Sequence, residues 1–458
     1  MNNILMPILE AIEHFINVLI EWFENVLKKG KVENMCDLFY PNIEVDQAIE
    51  SIDTAVTNAD ELVREAKNAA NDLSVKINEA VASVEAIITE LANAKAMEPM
   101  EMCPTIVEQD IAIEIPAEAT SAEIIEIFKT GRNMTFAKDA IYKIYDTIYI
   151  YSDTVVDLNG ATLQRYGAID VLDAYIDPDN TIGYEGAQNV VIKNGTIEGM
   201  NSLGLRSTNL TTWMHCNNLK FENVTFLDSP GGHCCDIVGC KDVTFLNCKF
   251  LGYYDMQKPQ SESIQIDYAS YQSLPSYPNT SVCYDMTHCK NILIEGCTFG
   301  ASEDRPAQYC AIGAHSEGDT TNYHDGITVK DCVATGNGVS SGSVQYGSFV
   351  RLMKMKNVLI SGNTIDNYGR LVWITLPGNL YGADGSTIPA SSNTDKVFIV
   401  QNVAIIANAI LSNKVGWKTY AVYLKDTYAK SKNIVVQDLD VPSTAVYIYG
   451  CDNSVVSL

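Results

Sequence analysis

The stretch Cys216-Asn-Asn-Leu-Lys-Phe-Glu-Asn-Val-Thr-Phe226 recurs as Cys240-Lys-Asp-Val-Thr-Phe-Leu-Asn-Cys-Lys-Phe250 and as Cys289-Lys-Asn-Ile-Leu-Ile-Glu-Gly-Cys-Thr-Phe299. Within each copy apolar residues alternate with polar ones, the period of a strand buried on one face. A corner centred on Gly or Asn then leads to a second inward residue. Cys216 and Cys240 are 24 positions apart, close to one turn of a parallel β-solenoid. Weaker copies run 187–197, 324–334 and 355–365, with longer offsets where loops are inserted between strands. The repeat therefore predicts a parallel β-helix.

Stacked in register, the copies place Cys216, Cys240 and Cys289 in one interior column and Cys248, Cys297 and Cys332 in another. A free cysteine packs as a small apolar side chain, so the 13 cysteines need no chemistry of their own. No C-x-x-C pair has a matching partner, and no metal is expected. The odd count, and a first thirty residues lacking a signal-peptide pattern, point to unpaired thiols in a chain folded in a reducing cytoplasm.

Upstream of the repeats the period changes from 2 to 3.5. Ile49, Ile52, Val56, Ala59, Val63, Ala66, Ala70, Leu73, Ile77, Ala80, Val84, Ile87 and Leu91 step by three and four without a break. This predicts a coiled-coil stalk over 46–96. One chain cannot bury such a seam, and Ile and Val at both seam positions favour three strands. Residues 1–45 read as an amphipathic helix and attachment segment, with Leu5, Ile8, Ile12, Phe15, Leu19, Trp22 and Val26 on its stripe. Its polar face is acidic, which argues against a membrane surface. Residues 97–134, with Pro99, Pro104 and Pro116, read as a linker leading into a solenoid over 135–458.

With 31 Lys+Arg against 57 Asp+Glu, the net charge is −26. Nothing here would neutralise a run of phosphates, so nucleic acid is excluded as a partner. Charged residues are only 19% of the chain and hydrophobic ones 47%, a folded composition rather than a disordered one. Nucleophile, phosphate-loop and dinucleotide motifs are absent, and no cofactor is expected.

The segment Tyr149-Ile-Tyr-Ser-Asp-Thr-Val-Val-Asp-Leu-Asn-Gly-Ala-Thr-Leu163, followed by the rung at 189–197, resembles the pectate-lyase-like right-handed parallel β-helix superfamily. Coupled to a coiled-coil stalk, the chain is similar to bacteriophage tailspikes and receptor-binding appendages. The resemblance covers roughly residues 135–458. It implies a mainly β protein, a right-handed single-stranded β-helix behind an N-terminal helix and stalk. It also implies a homotrimer located on a virion, joined to tail or capsid proteins through the first helix, that recognises a host surface glycan. One solenoid hosts lyases, hydrolases and plain adhesins, so the resemblance leaves the reaction open.

The strands that follow the repeats carry the candidate site. They read Gly232-His-Cys-Cys-Asp-Ile-Val238, Glu262-Ser-Ile-Gln-Ile-Asp-Tyr268, Cys310-Ala-Ile-Gly-Ala-His315, Ser348-Phe-Val-Arg-Leu-Met353 and Arg370-Leu-Val-Trp-Ile-Thr375. With Ile264 and Ile266 inward, one outward column holds Asp236, Gln265, Gly313, Arg351 and Trp373. The next holds Val238, Asp267, His315, Met353 and Thr375. Coils stack about 4.8 Å apart, so Asp236, Glu262 and Asp267 converge as candidate catalytic carboxylates, one as protonated acid and another as base or nucleophile. His233, Gln265, Tyr268, His315, Arg351, Trp373 and Trp213 are the candidate substrate-binding residues, supplying rings and hydrogen bonds for sugars. The inserts 253–261 and 268–285 are placed to wall a groove.

Two functions follow. One is a tailspike that binds and cleaves a host polysaccharide or teichoic-acid-type polymer, as a glycoside hydrolase rather than a polysaccharide lyase. The other is a non-catalytic fibre or adhesin that only binds surface glycan.

Overall fold

A computed structural model divides the chain into Met1–Met97 and Glu98–Leu458. It describes residues 112–131, 133–199, 208–254, 261–314, 322–337, 347–374, 379–389, 400–412, 420–425, 431–439 and 445–458. The helix expected in 1–45 and the stalk expected over 46–96 lie outside the described residues.

Among the described residues, two large sheets of parallel strands, of 19 and 10 strands, build the solenoid. The repeat copies stack as their sequences align: Asn217 lies opposite Lys241, Lys241 opposite Lys290, Lys290 opposite Asp325 and Asp325 opposite Lys356. Among the described residues the first pair joins Ile113–Ile115 to Met134–Phe136. Ladder pairing thus begins inside the stretch read as linker, because three-residue strands are too short for their alternation to register. Helix α1 (Ser121–Phe128) also falls there. Thr120 and Glu123 close a capping box at its start, and it buries Ile124 and Phe128 in the core of the first coils.

Interior ladders fill the solenoid. Phe221 stacks on Phe245 at 4.8 Å and Phe226 on Phe250 at 4.9 Å, with Phe299 the next ring at 4.9 Å. The expected cysteine columns are buried free thiols, and the Cys240 thiol donates to Trp213 O. At one corner Asn189, Asn218, Asn291, Asn357, Asn402, Asn433 and Asn453 hold φ between 53° and 60°, the left-handed region that Asn tolerates better than most residues. Their side-chain amides bond from coil to coil, as in Asn218 to Asn189 at 2.9 Å and Asn402 to Asn357 at 2.9 Å.

The second sheet runs β1 (Ile148–Ile150), β2 (Leu172–Ala174), β3 (Thr211–Met214), β4 (Cys235–Val238), β5 (Glu262–Asp267), β6 (Cys310–Gly313), β7 (Ser348–Leu352), β8 (Val372–Ile374), β9 (Val422–Lys425) and β10 (Val446–Tyr449), in that spatial order. Long inserts flank it. Residues 176–186 and 269–288 pack on one another through Ile176, Met214, Val238, Cys283 and Tyr284. Both ring nitrogens of His215 meet carbonyls there, Gly183 O at 2.6 Å and Cys283 O at 2.7 Å.

Candidate active site

Period-2 alternation puts Ile237, Ile264, Ile266 and Ile312 in the core, which turns the residues between them outward. Register then aligns one outward column: Tyr149, Asp173, Thr212, Asp236, Gln265, Gly313, Arg351, Trp373, Tyr423 and Tyr447, one per strand. The expected run Asp236–Gln265–Gly313–Arg351–Trp373 is the middle of it. Asp267 lies opposite Val238, as the second column requires.

A polar network joins these positions. Gln265 donates its amide to Asp267. Asn209 Nδ2 donates to Asp236 Oδ2 and to Thr212 Oγ1, each at 3.2 Å. The Thr212 hydroxyl donates to Asp170 at 2.7 Å, and the Thr212 amide to Asp173 at 3.0 Å. Arg351 Nη1 lies 3.2 Å from Glu262 Oε1. His233 Nδ1 lies 2.9 Å from Glu262 O and 3.7 Å from Glu262 Oε2. Asp170, Asp173, Thr212 and Asn209 were not among the expected site residues. Extending the outward column two strands back from Asp236 reaches Thr212 and then Asp173.

The acids are buried rather than spread on an open surface. Asp236 is 2% exposed, and Glu262 and Asp267 are 0% exposed. Burial penalises their charged forms, and like charges add to it. Glu262 is pushed up to about 8, because burial and the Asp267 charge outweigh the pull of Arg351. Burial first, then the charges of Asp267 and Asp170, lifts Asp236 well above the usual carboxylate range. Asp170 rises to about 6 through burial, against hydrogen bonds and Arg165. Burial, and then the Asp170 charge, lifts Asp173 well above the usual carboxylate range. The face is therefore built to hold protons on some of its carboxyls at neutral pH.

Two expected binding residues face elsewhere. Trp213 pairs with Ile237, which gives it inward parity. It is 0% exposed, its Nε1 donates to Thr211 Oγ1, and its ring meets Phe221 edge-on at 5.2 Å. Trp213 is a core residue. Tyr268 is also 0% exposed. Its hydroxyl donates to Asn322 O at 2.6 Å and its ring lies 4.2 Å from that of His324, so it packs the insert instead of offering a sugar platform. His315 lies outside the described residues.

Trp373 keeps its place on the face, half-buried, with the guanidinium carbons of Arg351 and Arg370 at 5.3 Å and 5.4 Å from its ring centroid. Beyond it Arg370 lies over Tyr423 at 4.8 Å, and Tyr423 stacks on Tyr447 at 5.3 Å. Of the expected walls, the 268–285 insert stands beside the sheet, where Tyr284 OH donates to Leu274 O at 2.6 Å. Among the described residues no group of three His, Cys, Asp or Glu is arranged to hold a metal ion.

No family model matches the chain. It is 26% identical, over 261 residues and 52% of its length, to plasmin and fibronectin-binding protein A of Streptococcus pneumoniae, and spans about a third (34%) of that relative. The crystal structure of PfbA, a surface adhesin of S. pneumoniae, superposes with a TM-score of 0.54 at 19% identity, covering 73% of this chain and 80% of that one. The shared fold is a parallel β-helix. An alginate lyase from Paenibacillus matches at a TM-score of 0.45 and 13% identity, covering 74% of this chain and 99% of its own. The β-helix thus holds the acid column on one face of a stack of parallel coils.

Proposed function

We propose that this chain binds a cell-surface polysaccharide along the second sheet and cleaves it by carboxylate acid–base chemistry. The observation that supports this most is Glu262, lifted to about 8, set among Asp236 and Asp267. At neutral pH Glu262 carries its proton and donates it to the leaving glycosidic oxygen. Crowding discourages Asp236 and Asp267 from ionising together, and whichever is ionised serves as base or nucleophile. Hydrolysis suits the face better than elimination. A protonated carboxyl beside further acids is the pairing that hydrolysis uses, and the Arg351 guanidinium donates to the acid itself at 3.2 Å. The heptad seam of 46–96 and the resemblance to tailspikes support the finer reading, a homotrimeric virion appendage attached through its first helix.

A non-catalytic adhesin is the second reading, favoured by the sequence similarity to a protein described as a surface adhesin. Reducing-end release from purified bacterial wall polysaccharide separates the two. The wild-type chain is expected to release reducing ends and Glu262→Gln to release none, at equal sedimentation mass. Wild-type chain that binds the polymer and releases nothing establishes the adhesin instead. The same sedimentation run tests the trimer.

A further inference from the structure

At the first coils the outward column ends in exposed rings. Ile148 and Ile150 are buried in the core, so Tyr149 and Tyr151 point out. Tyr175 follows β2 one coil on, its amide donating to Ile150 O at 2.8 Å. Tyr151 stacks on Tyr175 with ring centroids 4.8 Å apart, and Tyr149 meets Tyr175 edge to face at 6.4 Å. Tyr149 is 44% exposed and Tyr175 47%, so both rings reach solvent on the fold as it stands. Asp173, paired with Tyr149 in the column, is half-buried. Burial first, then the charges of Tyr149 and Asp173, raises the Tyr277 phenol, which sets a ring of the 269–288 insert near the same patch.

Resting on the reading of the second sheet as a glycan face, we propose that Tyr149, Tyr151 and Tyr175 form a sugar-stacking subsite at its first coils, and that one polymer lies along the column from there to Trp373. Tyrosine joins a flat apolar body to a polar tip, which suits the C–H face and hydroxyl edge of a sugar ring. Area argues against a protein as the occupant. A whole tyrosine offers about 150–250 Å², so the exposed parts of Tyr149 and Tyr175 come to roughly 200 Å². That is about a quarter of the area each partner buries in a standard protein interface. Tyr149 and Trp373 are seven strand spacings apart, roughly 34 Å. Two platforms at that distance favour a ligand that reaches both, because the second contact is then intramolecular. The subsite therefore selects a long polymer over its own fragments, and it serves binding with or without cleavage.

Calorimetry with the full chain compares purified bacterial wall polysaccharide with short fragments sized from its partial hydrolysate. Wild-type chain is expected to bind the polymer tighter than the fragments by on the order of tenfold or more. Tyr149→Ala combined with Tyr175→Ala is expected to lose polymer affinity severalfold and to narrow that ratio, at unchanged Tm. Tyr149→Phe combined with Tyr175→Phe keeps the rings and is expected to keep the affinity. Unchanged polymer affinity in the alanine variant, with Trp373→Ala still weakening binding, overturns the subsite and leaves the glycan face standing. Lost self-association in the alanine variant at unchanged polymer affinity also overturns it, and makes the patch a contact between copies. Wild-type chain that binds no polymer removes the glycan face and the subsite together.

Discussion

Arg351 Nη1 stands 3.2 Å from Glu262 Oε1 although a whole coil intervenes, because the outward position between them is Gly313. Gly313 pairs with Gln265 on one side and Arg351 on the other. A Cβ there would lie 2.9 Å from Arg351 Cβ, 3.0 Å from Arg351 O and 3.4 Å from Glu262 Cγ. Space, not a left-handed backbone, demands glycine at this position. The notch lets the arginine lean back across roughly 10 Å of sheet to the acid.

Gly313→Ala is therefore expected to shift Arg351 off Glu262. Displacement of a positioned group costs on the order of tenfold to a hundredfold in kcat/KM. Losing the cation also raises Glu262 above its present value of about 8. The limb of the pH–rate profile on which Glu262 loses its proton should then move to higher pH, which steady-state kinetics on wall polysaccharide would read. An unmoved limb would show that Arg351 does not set Glu262.

The same acid makes stability depend on pH. Its folded value, about 8, lies above the unfolded value of 4.5, so the native state binds the extra proton between them. Stability contributed by protonated Glu262 is complete below about 4.5 and is lost as pH rises towards 8, a loss on the order of 5 kcal/mol if the group acts alone. Asp170, raised to about 6, acts in the same direction over a lower window. Calorimetric Tm should fall from pH 5 to pH 8, and Glu262→Gln should flatten the upper part of that slope. A wild-type Tm that rises over the interval contradicts the assignment.

Much of the site was legible because the repeats set the register. Once Ile264 and Ile266 point inward, Asp236, Gln265, Gly313, Arg351 and Trp373 must share a column. Trp213 was misplaced by proximity: counting parity against Ile237 puts it in the core. Asp173 escaped because β2 has three residues and no repeat copy announces its register. Asp170 precedes that strand altogether. The burial of the acids was illegible, since alternation predicts which way a side chain points and not what packs over it.

The corner ladder yields a test of the solenoid. Asn357 has φ 55°, donates to Asp325 at 2.6 Å and accepts from Asn402 at 2.9 Å. Asn357→Ala forfeits both bonds and keeps a strained left-handed backbone, for an expected loss of about 2 kcal/mol. Asn357→Gly forfeits the bonds but relieves the backbone, so its loss should be about 1 kcal/mol smaller. Urea midpoints of the two variants give the comparison. Equal midpoints would mean the corner carries no conformational strain.

The two tryptophans should separate packing from binding. Trp213 fills the interior against Phe221, so Trp213→Ala opens a cavity worth about 3–5 kcal/mol of stability. What polysaccharide binding the folded fraction retains should have an unchanged Kd. Trp373 is half-buried on the outer face, between the guanidinium groups of Arg351 and Arg370. Trp373→Ala should cost little in Tm, because the cation–π contacts it loses are worth about 1 kcal/mol each when partly exposed. It should weaken polysaccharide binding severalfold, through the lost ring and through freed arginines that no longer hold one geometry. Calorimetric titration of both folded variants, beside their melting curves, reads the contrast. Weakened binding in Trp213→Ala with Trp373→Ala unaffected would place the ligand elsewhere than on this column.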